Sequence, residues 1–210
     1  MQASLIIAVY NQARNLELIF ETVKLQTCQE IEIIIADDGS GDRTPDVVES
    51  FRTAQPGLPL SFVTQEDKGF RKTMILNKAI MLANTDYLIF IDGDMLLDKS
   101  FVQLHLHNRH HDHVLCGHRG VKLTEPYTEK LLSGEMMFSP SLVNLIMQKI
   151  KGNLSHPLRG LIVKNPLLRR FAVHNRKNLS GCNFSLYRQA IEKVNGFNED
   201  ILEHGYNDYE

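Results

Sequence analysis

The sequence predicts an α/β fold: an open, mostly parallel sheet with helices on both faces. Three observations lead there. Apolar runs of strand length (Leu5-Ile6-Ile7-Ala8-Val9, residues 31–36, and Tyr87-Leu88-Ile89-Phe90-Ile91) are continuous rather than alternating, as in strands buried on both faces. Stretches with helical spacing of apolar residues lie between them. Each run breaks into Asn, Asp or Gly, residues suited to a turn.

Taken in order, the first strand, Leu5-Ile6-Ile7-Ala8-Val9, is broken by Tyr10-Asn11-Gln12. Leu16, Ile19, Phe20 and Val23 then mark one face of a helix over 13–25. The strand at 31–36 ends at Asp37-Asp38-Gly39-Ser40-Gly41. Thr44-Pro45-Asp46 opens the next helix: Thr is an N-cap type, Pro suits the first turn, and Asp suits the helix dipole. Val47, Val48, Phe51 and Ala54 form its apolar stripe, and Gln55-Pro56-Gly57 closes it. Residues 60–64 read as a strand. A helix over 70–83 turns Ile75, Ala79, Leu82 and Ala83 inward. The strand ending in Asp92-Gly93-Asp94 follows, then a helix over 100–108 and a strand over 113–117. These 120 residues form the expected core, and 121–210 a helical extension.

Composition bounds the function. The 210 residues are 43% hydrophobic and 23% charged with net charge −2, which suits one soluble globular domain with an appendage and gives no nucleic-acid footprint. Cys28, Cys116 and Cys182 are odd in number and far apart, and read as reduced thiols of a cytosolic compartment. The start has no basic n-region, and no run reaches the roughly 18–20 apolar residues of a membrane span.

In an open parallel sheet, ligands bind outside the carboxyl ends of the strands. Those ends are Val9-Tyr10-Asn11, Asp37-Asp38-Gly39, the loop at 65–69 and Asp92-Gly93-Asp94, so acidic groups converge there. In extended backbone Asp92 and Asp94 point the same way. Two carboxylates together repel unless a cation joins them, and a hard divalent ion that also takes phosphate oxygens fits. The other reading is a plain strand-ending turn. Arg71 and Lys72 fall in the first turn of a helix, where the dipole disfavours cations. A bound anion would satisfy them, with Gly69 permitting close approach; otherwise both side chains point to solvent. A Gly-x-Gly-x-x-Gly after the first strand and a Gly-x-x-x-x-Gly-Lys-Ser/Thr loop are both missing, which argues against dehydrogenases and P-loop enzymes. Phosphatases with Asp-x-Asp place it after the first strand, whereas here it follows the fourth.

Four blocks, Ala8-Val9-Tyr10-Asn11, Ile33-Ile34-Ile35-Ala36-Asp37-Asp38-Gly39-Ser40, Asp67-Lys68-Gly69-Phe70-Arg71 and Phe90-Ile91-Asp92-Gly93-Asp94, resemble in that order the family 2 glycosyltransferases. The resemblance covers about the first 120 residues. It implies a Rossmann-like GT-A fold and a nucleotide-sugar donor, UDP-linked, with Mn²⁺ or Mg²⁺. It implies that the backbone near Ala8 and Tyr10, with Asp38, holds the base. Gly69 and Arg71 would lie near the nucleotide, Asp92 would contact ribose or metal, and Asp94, beside Gly93, would ligate the metal. The acceptor is then a saccharide or lipid-linked glycan. Gly181-Cys182-Asn183-Phe184-Ser185, Asn195-Gly196-Phe197-Asn198-Glu199-Asp200 and Gly205-Tyr206-Asn207-Asp208 resemble the galactosyltransferase-like part of bacterial chondroitin polymerases, whose Trp-Gly-x-Glu-Asp motif makes Asp208 the catalytic base. His204 and Asn207 depart from that motif, and Asp208 also reads as a polar loop residue. The family's further metal-ligating His is not found, with His174 a weak stand-in, and the chain reads as a fragment or a short form.

His105, His107, His110, His111 and His113 lack clean ligand spacing and read as an exposed helix and its exit loop. A basic segment spans about 141–178: between 136 and 191 there are nine Lys or Arg and no Asp or Glu. It suits peripheral contact with a membrane, a diphosphate-lipid acceptor, a lid, or a solvated helical hairpin. A metal-dependent, inverting hexosyltransferase of cell-envelope polysaccharide synthesis is the expected function. The alternatives are a nucleotidyltransferase on a similar sheet and a non-catalytic sugar-nucleotide-binding domain.

Overall fold

The computed structural model describes residues 1–117, 120–135, 141–157 and 181–203. Four parallel strands form the centre of the sheet: β1 (Ala3–Val9), β2 (Ile31–Asp37), β3 (Leu60–Thr64) and β4 (Tyr87–Asp92). Helices α1 (Ala13–Lys24), α2 (Thr44–Ala54) and α3 (Lys72–Leu82) connect them, and α4 (Phe101–His107) follows β4. Two more strands, β5 (Leu115–Cys116) and β8 (Asn183–Tyr187), complete the order β3-β2-β1-β4-β8-β5, with β8 antiparallel to both neighbours. Helix α7 (Arg188–Lys193) follows β8. The sheet is thus mixed and mostly parallel.

Alternation along the strands divides the core. Leu5, Ile7 and Val9 pack with Leu16, Ile19, Phe20, Val48 and Val102 on one face; Ile6, Ala8 and Phe90 pack with Ile75, Leu76, Ala79 and Phe184 on the other. Both faces are covered, which explains the unbroken apolar runs. Burial of Leu16, Ile19, Phe20 and Val23 is worth roughly 1.5–3 kcal/mol each before entropy losses. Glu32 interrupts the β2 run yet is buried. Its carboxylate accepts from Ser4 Oγ (2.5 Å), Asn84 N (2.6 Å) and Asn84 Nδ2 (2.8 Å), so its lone pairs are satisfied at the end of the sheet away from the carboxyl rim.

The helix expected from residue 70 starts at Lys72, and its buried stripe takes Leu76 and Ile80 where Leu82 was expected. Leu82, in the last turn, is 44% exposed. Thr44 begins α2 but does not cap it. Asp42 does: its Oδ1 accepts Thr44 N (3.0 Å) and Thr44 Oγ1 (2.5 Å), while its Oδ2 accepts Ala13 N (2.9 Å) at the start of α1. One carboxylate therefore ties two helix N-termini together. Burial raises the Asp42 pKa, but the hydrogen bonds from Thr44 and Ala13 outweigh it and leave the net shift downward.

Met1–Gly117 together with Leu179–Glu210 form one compact unit, and His118–Asn178 a second. The first unit takes its fifth strand from beyond residue 120, where the sequence reading placed the extension. The second contains β6 (Lys122–Leu123), α5 (Glu125–Leu132), α6 (Leu142–Ile150) and β7 (Leu154–Ser155), with β6 and β7 paired antiparallel.

Candidate active site

The chain runs outward from β1 to β2 to β3 and then returns to place β4 on the other side of β1. The strand order switches direction between β1 and β4, and an open α/β sheet opens its ligand crevice there. Gly93 crosses that point. Its N–H donates to Ala8 O at 2.7 Å, while Asp38 N donates to Val9 O at 3.0 Å. A Cβ on Gly93 would stand 2.9 Å from Ala8 O and 2.8 Å from Val9 Cγ1, and would also meet Gln12 Oε1. Only glycine lets the Asp-Gly-Asp turn lie this close to β1.

The two aspartates ending β2 do different work. Asp37 is internal: Ser40 Oγ (2.5 Å) and Thr64 Oγ1 (2.6 Å) donate to it and shape the turn. Asp38 faces the rim. Its Oδ1 accepts from Gln65 Nε2 at 2.5 Å and its Oδ2 from Arg71 N at 2.8 Å. Lys78 Nζ donates to Gln65 Oε1 at 2.9 Å, so Gln65 relays a cation toward Asp38. Tyr10 is exposed and donates to Asp67 Oδ2 at 3.0 Å; acceptance by that carboxylate raises the phenol pKa. Gly69 has φ +84° and open space at its Cβ position, so the turn's conformation, with Gly69 N donating to Asp67 Oδ1 at 3.1 Å, requires it.

Arg71 stands just before α3 and reaches back to donate to Glu66 O, with NH1 3.9 Å from Met74 Sδ. Its buried Nε has no hydrogen-bond partner among the described residues. Lys72 was expected to meet an anion or to point to solvent. It instead meets Asp92, with Nζ 2.5 Å from Oδ1 and both side chains largely covered. Asp92 thereby carries a neutralising partner. Asp94, two residues on, is exposed and makes no hydrogen bond or ion pair among the described residues. Ala8, Tyr10, Asp38, Gly93, Asp92 and Asp94 all stand at the carboxyl ends of β1, β2 and β4, and Gly69 and Arg71 in the loop after β3.

A sequence model of glycosyl transferase family 2 matches residues 4–194. The chain belongs to glycosyl transferase family 2. It is 28% identical to the uncharacterized glycosyltransferase YfnE of Bacillus subtilis, over all of this chain and 59% of that protein. It is 26% identical to chondroitin synthase of Escherichia coli, over 99% of this chain and 31% of that one. The chain therefore spans less than two thirds of each of these relatives. Its fold matches the mannosyltransferase PcManGT of Pyrobaculum calidifontis, solved with GDP-Man and Mn²⁺, at TM-score 0.61 and 19% identity, over 99% of this chain and 50% of that one. It also matches residues 1–349 of Staphylococcus aureus TarS, solved with UDP, at TM-score 0.62 and 17% identity, over 100% of this chain and 53% of that one. These likenesses place the family's GT-A fold on this chain.

The rim suits a divalent cation in one specific sense. Among the described residues no group of three or more His, Cys, Asp or Glu is placed to hold an ion. Two carboxylates from Asp92-Gly93-Asp94, with phosphate oxygens and water in the other positions, form the set that Mg²⁺-type ions take in nucleotide enzymes. Asp92 and Asp94 could supply two positions of such a set, the Asp92 carboxylate being shared with Lys72. Asp208, His174 and the basic residues from Arg159 to Lys177 lie outside the described residues.

The histidines divide differently from the sequence reading. His107, His110, His111 and His113 are exposed, but His105 is buried. Its Nδ1 lies 2.6 Å from Ser185 Oγ and its Nε2 3.1 Å from Asn183 Oδ1; Ser185 Oγ also lies 2.6 Å from Tyr87 OH. With Asn183 Oδ1 accepting, Nε2 carries the proton, so Ser185 donates to Nδ1 and Tyr87 donates to Ser185. Burial lowers the His105 pKa to about 4 and keeps the ring neutral. Sequence reasoning missed this network, along with Gln65 and Lys78. For Gln65 the only available signal was its place beside a strand end; Lys78, in the middle of α3, gave none.

Proposed function

We propose that the protein transfers a hexose or N-acetylhexosamine from a nucleoside diphosphate, UDP in the first instance, to a hydroxyl of a saccharide or glycolipid acceptor. The reading includes inversion at the anomeric carbon, Mn²⁺ or Mg²⁺ as cofactor, and a place in cell-envelope polysaccharide synthesis on the cytoplasmic side. One observation carries it: Asp38, which accepts from Arg71 N, and Asp92-Gly93-Asp94 stand at the carboxyl ends of β2 and β4 on either side of β1, with the Asp94 carboxylate exposed and unpaired among the described residues. The donor class is supported by related folds solved with UDP, UDP-GlcNAc and GDP-Man.

Each residue then has a role. Asp38, held in place by Gln65 and the Arg71 amide, accepts from the base, alongside the backbone at Ala8 and Tyr10. The Ala8 carbonyl already takes Gly93 N–H and has a second lone pair to offer. Lys72 holds Asp92 and brings an ammonium group beside the path of the diphosphate. Gly69 and Arg71 border the nucleotide. Asp94 and Asp92 would hold the ion, whose charge would offset that on the departing diphosphate. Asp208 takes the proton of the acceptor hydroxyl.

Calorimetry with UDP and UDP-sugars, with and without Mn²⁺, tests the reading. Wild type should bind UDP in a Mn²⁺-dependent way. Asp94→Ala should lose the metal-dependent part, and Asp208→Asn should bind donor yet transfer nothing. Equal Mn²⁺-dependent affinity in Asp94→Ala removes the role given to that residue. Binding of nucleoside triphosphates with release of pyrophosphate makes the protein a nucleotidyltransferase. Donor binding without transfer or hydrolysis leaves a binding domain.

A further inference from the structure

Helix α6 of the smaller unit is amphipathic in the inverted sense. Leu145 is fully buried and Gln148 nearly so, and Gln148 bonds to Asn153 Nδ2 (2.6 Å) and Asn144 (3.2 Å) on that inner side. The apolar residues face outward. Val143 is 70% exposed, Ile150 80%, and Ile146 and Met147 nearly half. At about 100° per residue, these four occupy an arc of roughly 100°, opposite Leu145 and Gln148. Lys149 and Lys151, both exposed, fall on either side of that arc. Around this helix the sequence has no acidic residue from 136 to 191. Solvated helices carry their polar side outward; this one presents an apolar stripe between two lysines, in a segment with only positive formal charge.

The geometry points to α6 as a docking surface for an anionic lipid bilayer. Val143, Ile146, Met147 and Ile150 enter the headgroup–acyl boundary, and Lys149 and Lys151 extend along the stripe's edges to lipid phosphates. The lysines decide between occupants. The segment from 136 to 191 carries only basic charge, so an α6–α6 contact between two copies would set like charges together, whereas lipid phosphates complement both lysines. Each lysine near an anionic surface adds a salt-sensitive increment of binding. Among the described residues no helix is long and apolar enough to cross a membrane, so the contact is peripheral.

Co-sedimentation of the full chain with phosphatidylglycerol vesicles and with phosphatidylcholine vesicles tests this. Wild type should partition to the anionic vesicles at least tenfold more strongly than to the neutral ones, and high salt should weaken the binding. Val143→Ser/Ile150→Ser, two exposed positions whose replacement leaves the inner face of α6 intact, should lower partition at least tenfold. Lys149→Glu/Lys151→Glu should do the same. Circular dichroism and UDP binding should be unchanged in both variants, which separates this surface from the donor site. Three results overturn the proposal: no partition by wild type, undiminished partition by the serine variant, or light scattering that shows wild-type dimers dispersed by the serine variant.

Discussion

Acid should destabilise this protein through His105 by an amount its burial sets. The ring is buried and neutral, with its pKa lowered from 6.5 to about 4. Below pH 6.5 the unfolded chain binds a proton that the folded chain refuses, so stability falls as pH falls through the window from 6.5 to about 4. Linkage over that window gives a loss of about 1.4 kcal/mol at pH 5.5 and about 3 kcal/mol at pH 4. The assay is urea unfolding of wild type and His105→Gln at pH 7, 5.5 and 4. Gln cannot titrate, so the other groups cancel in the difference between the two pH profiles. The variant starts less stable because it disturbs Ser185 and Asn183, but its profile should be flatter by about 3 kcal/mol at pH 4. Parallel profiles for the two proteins would refute the reasoning, as would an NMR titration with His105 protonating near its ordinary pKa.

The remaining predictions follow from single contacts. Asp42→Ala removes hydrogen bonds at the starts of both α1 and α2, and should cost about 1–3 kcal/mol in urea unfolding. Because the folded-state pKa of Asp42 is depressed, its contribution is present above the ordinary carboxylate range and lost as pH falls through the folded value. The wild-type advantage over Asp42→Ala should therefore shrink toward low pH. Gly93→Ala should lose roughly 1–3 kcal/mol and weaken donor binding, since its Cβ meets the Ala8 carbonyl; unchanged calorimetric melting would count against the close approach.

Most of the core was legible because its strands are buried on both sides. Continuous runs such as Leu5-Ile6-Ile7-Ala8-Val9 suit a strand covered on both faces and little else of that length, and they placed β1, β2 and β4 within two residues. The rim was legible for the same reason, since abrupt Asp and Gly residues after such runs mark carboxyl ends. Strand β8 was harder to see. Phe184 and Leu186 alternate with Asn183 and Ser185, a pattern typical of a strand with one face in water. Here the polar face is buried against His105, a partner 78 and 80 residues away in sequence. Cap assignment failed at Thr44 because the helix already begins there, one residue after Arg43, and its N–H and hydroxyl both donate to Asp42. The pairing of Lys72 with Asp92 was hidden because the two lie 20 residues apart, one at the start of a helix and one at the end of the next strand.

The pairing of β5 with β8 also bears on how such a molecule is put together. Gly117 N–H donates to Asn183 O at 2.9 Å, so the polypeptide leaves the sheet and re-enters it across one hydrogen bond. Everything between is an excursion with its two ends pinned together. Closing a loop costs only slowly more as it lengthens, so that excursion can lengthen or shorten at small cost to the sheet. The length of the 118–178 unit is in that sense only loosely tied to the stability of the sheet.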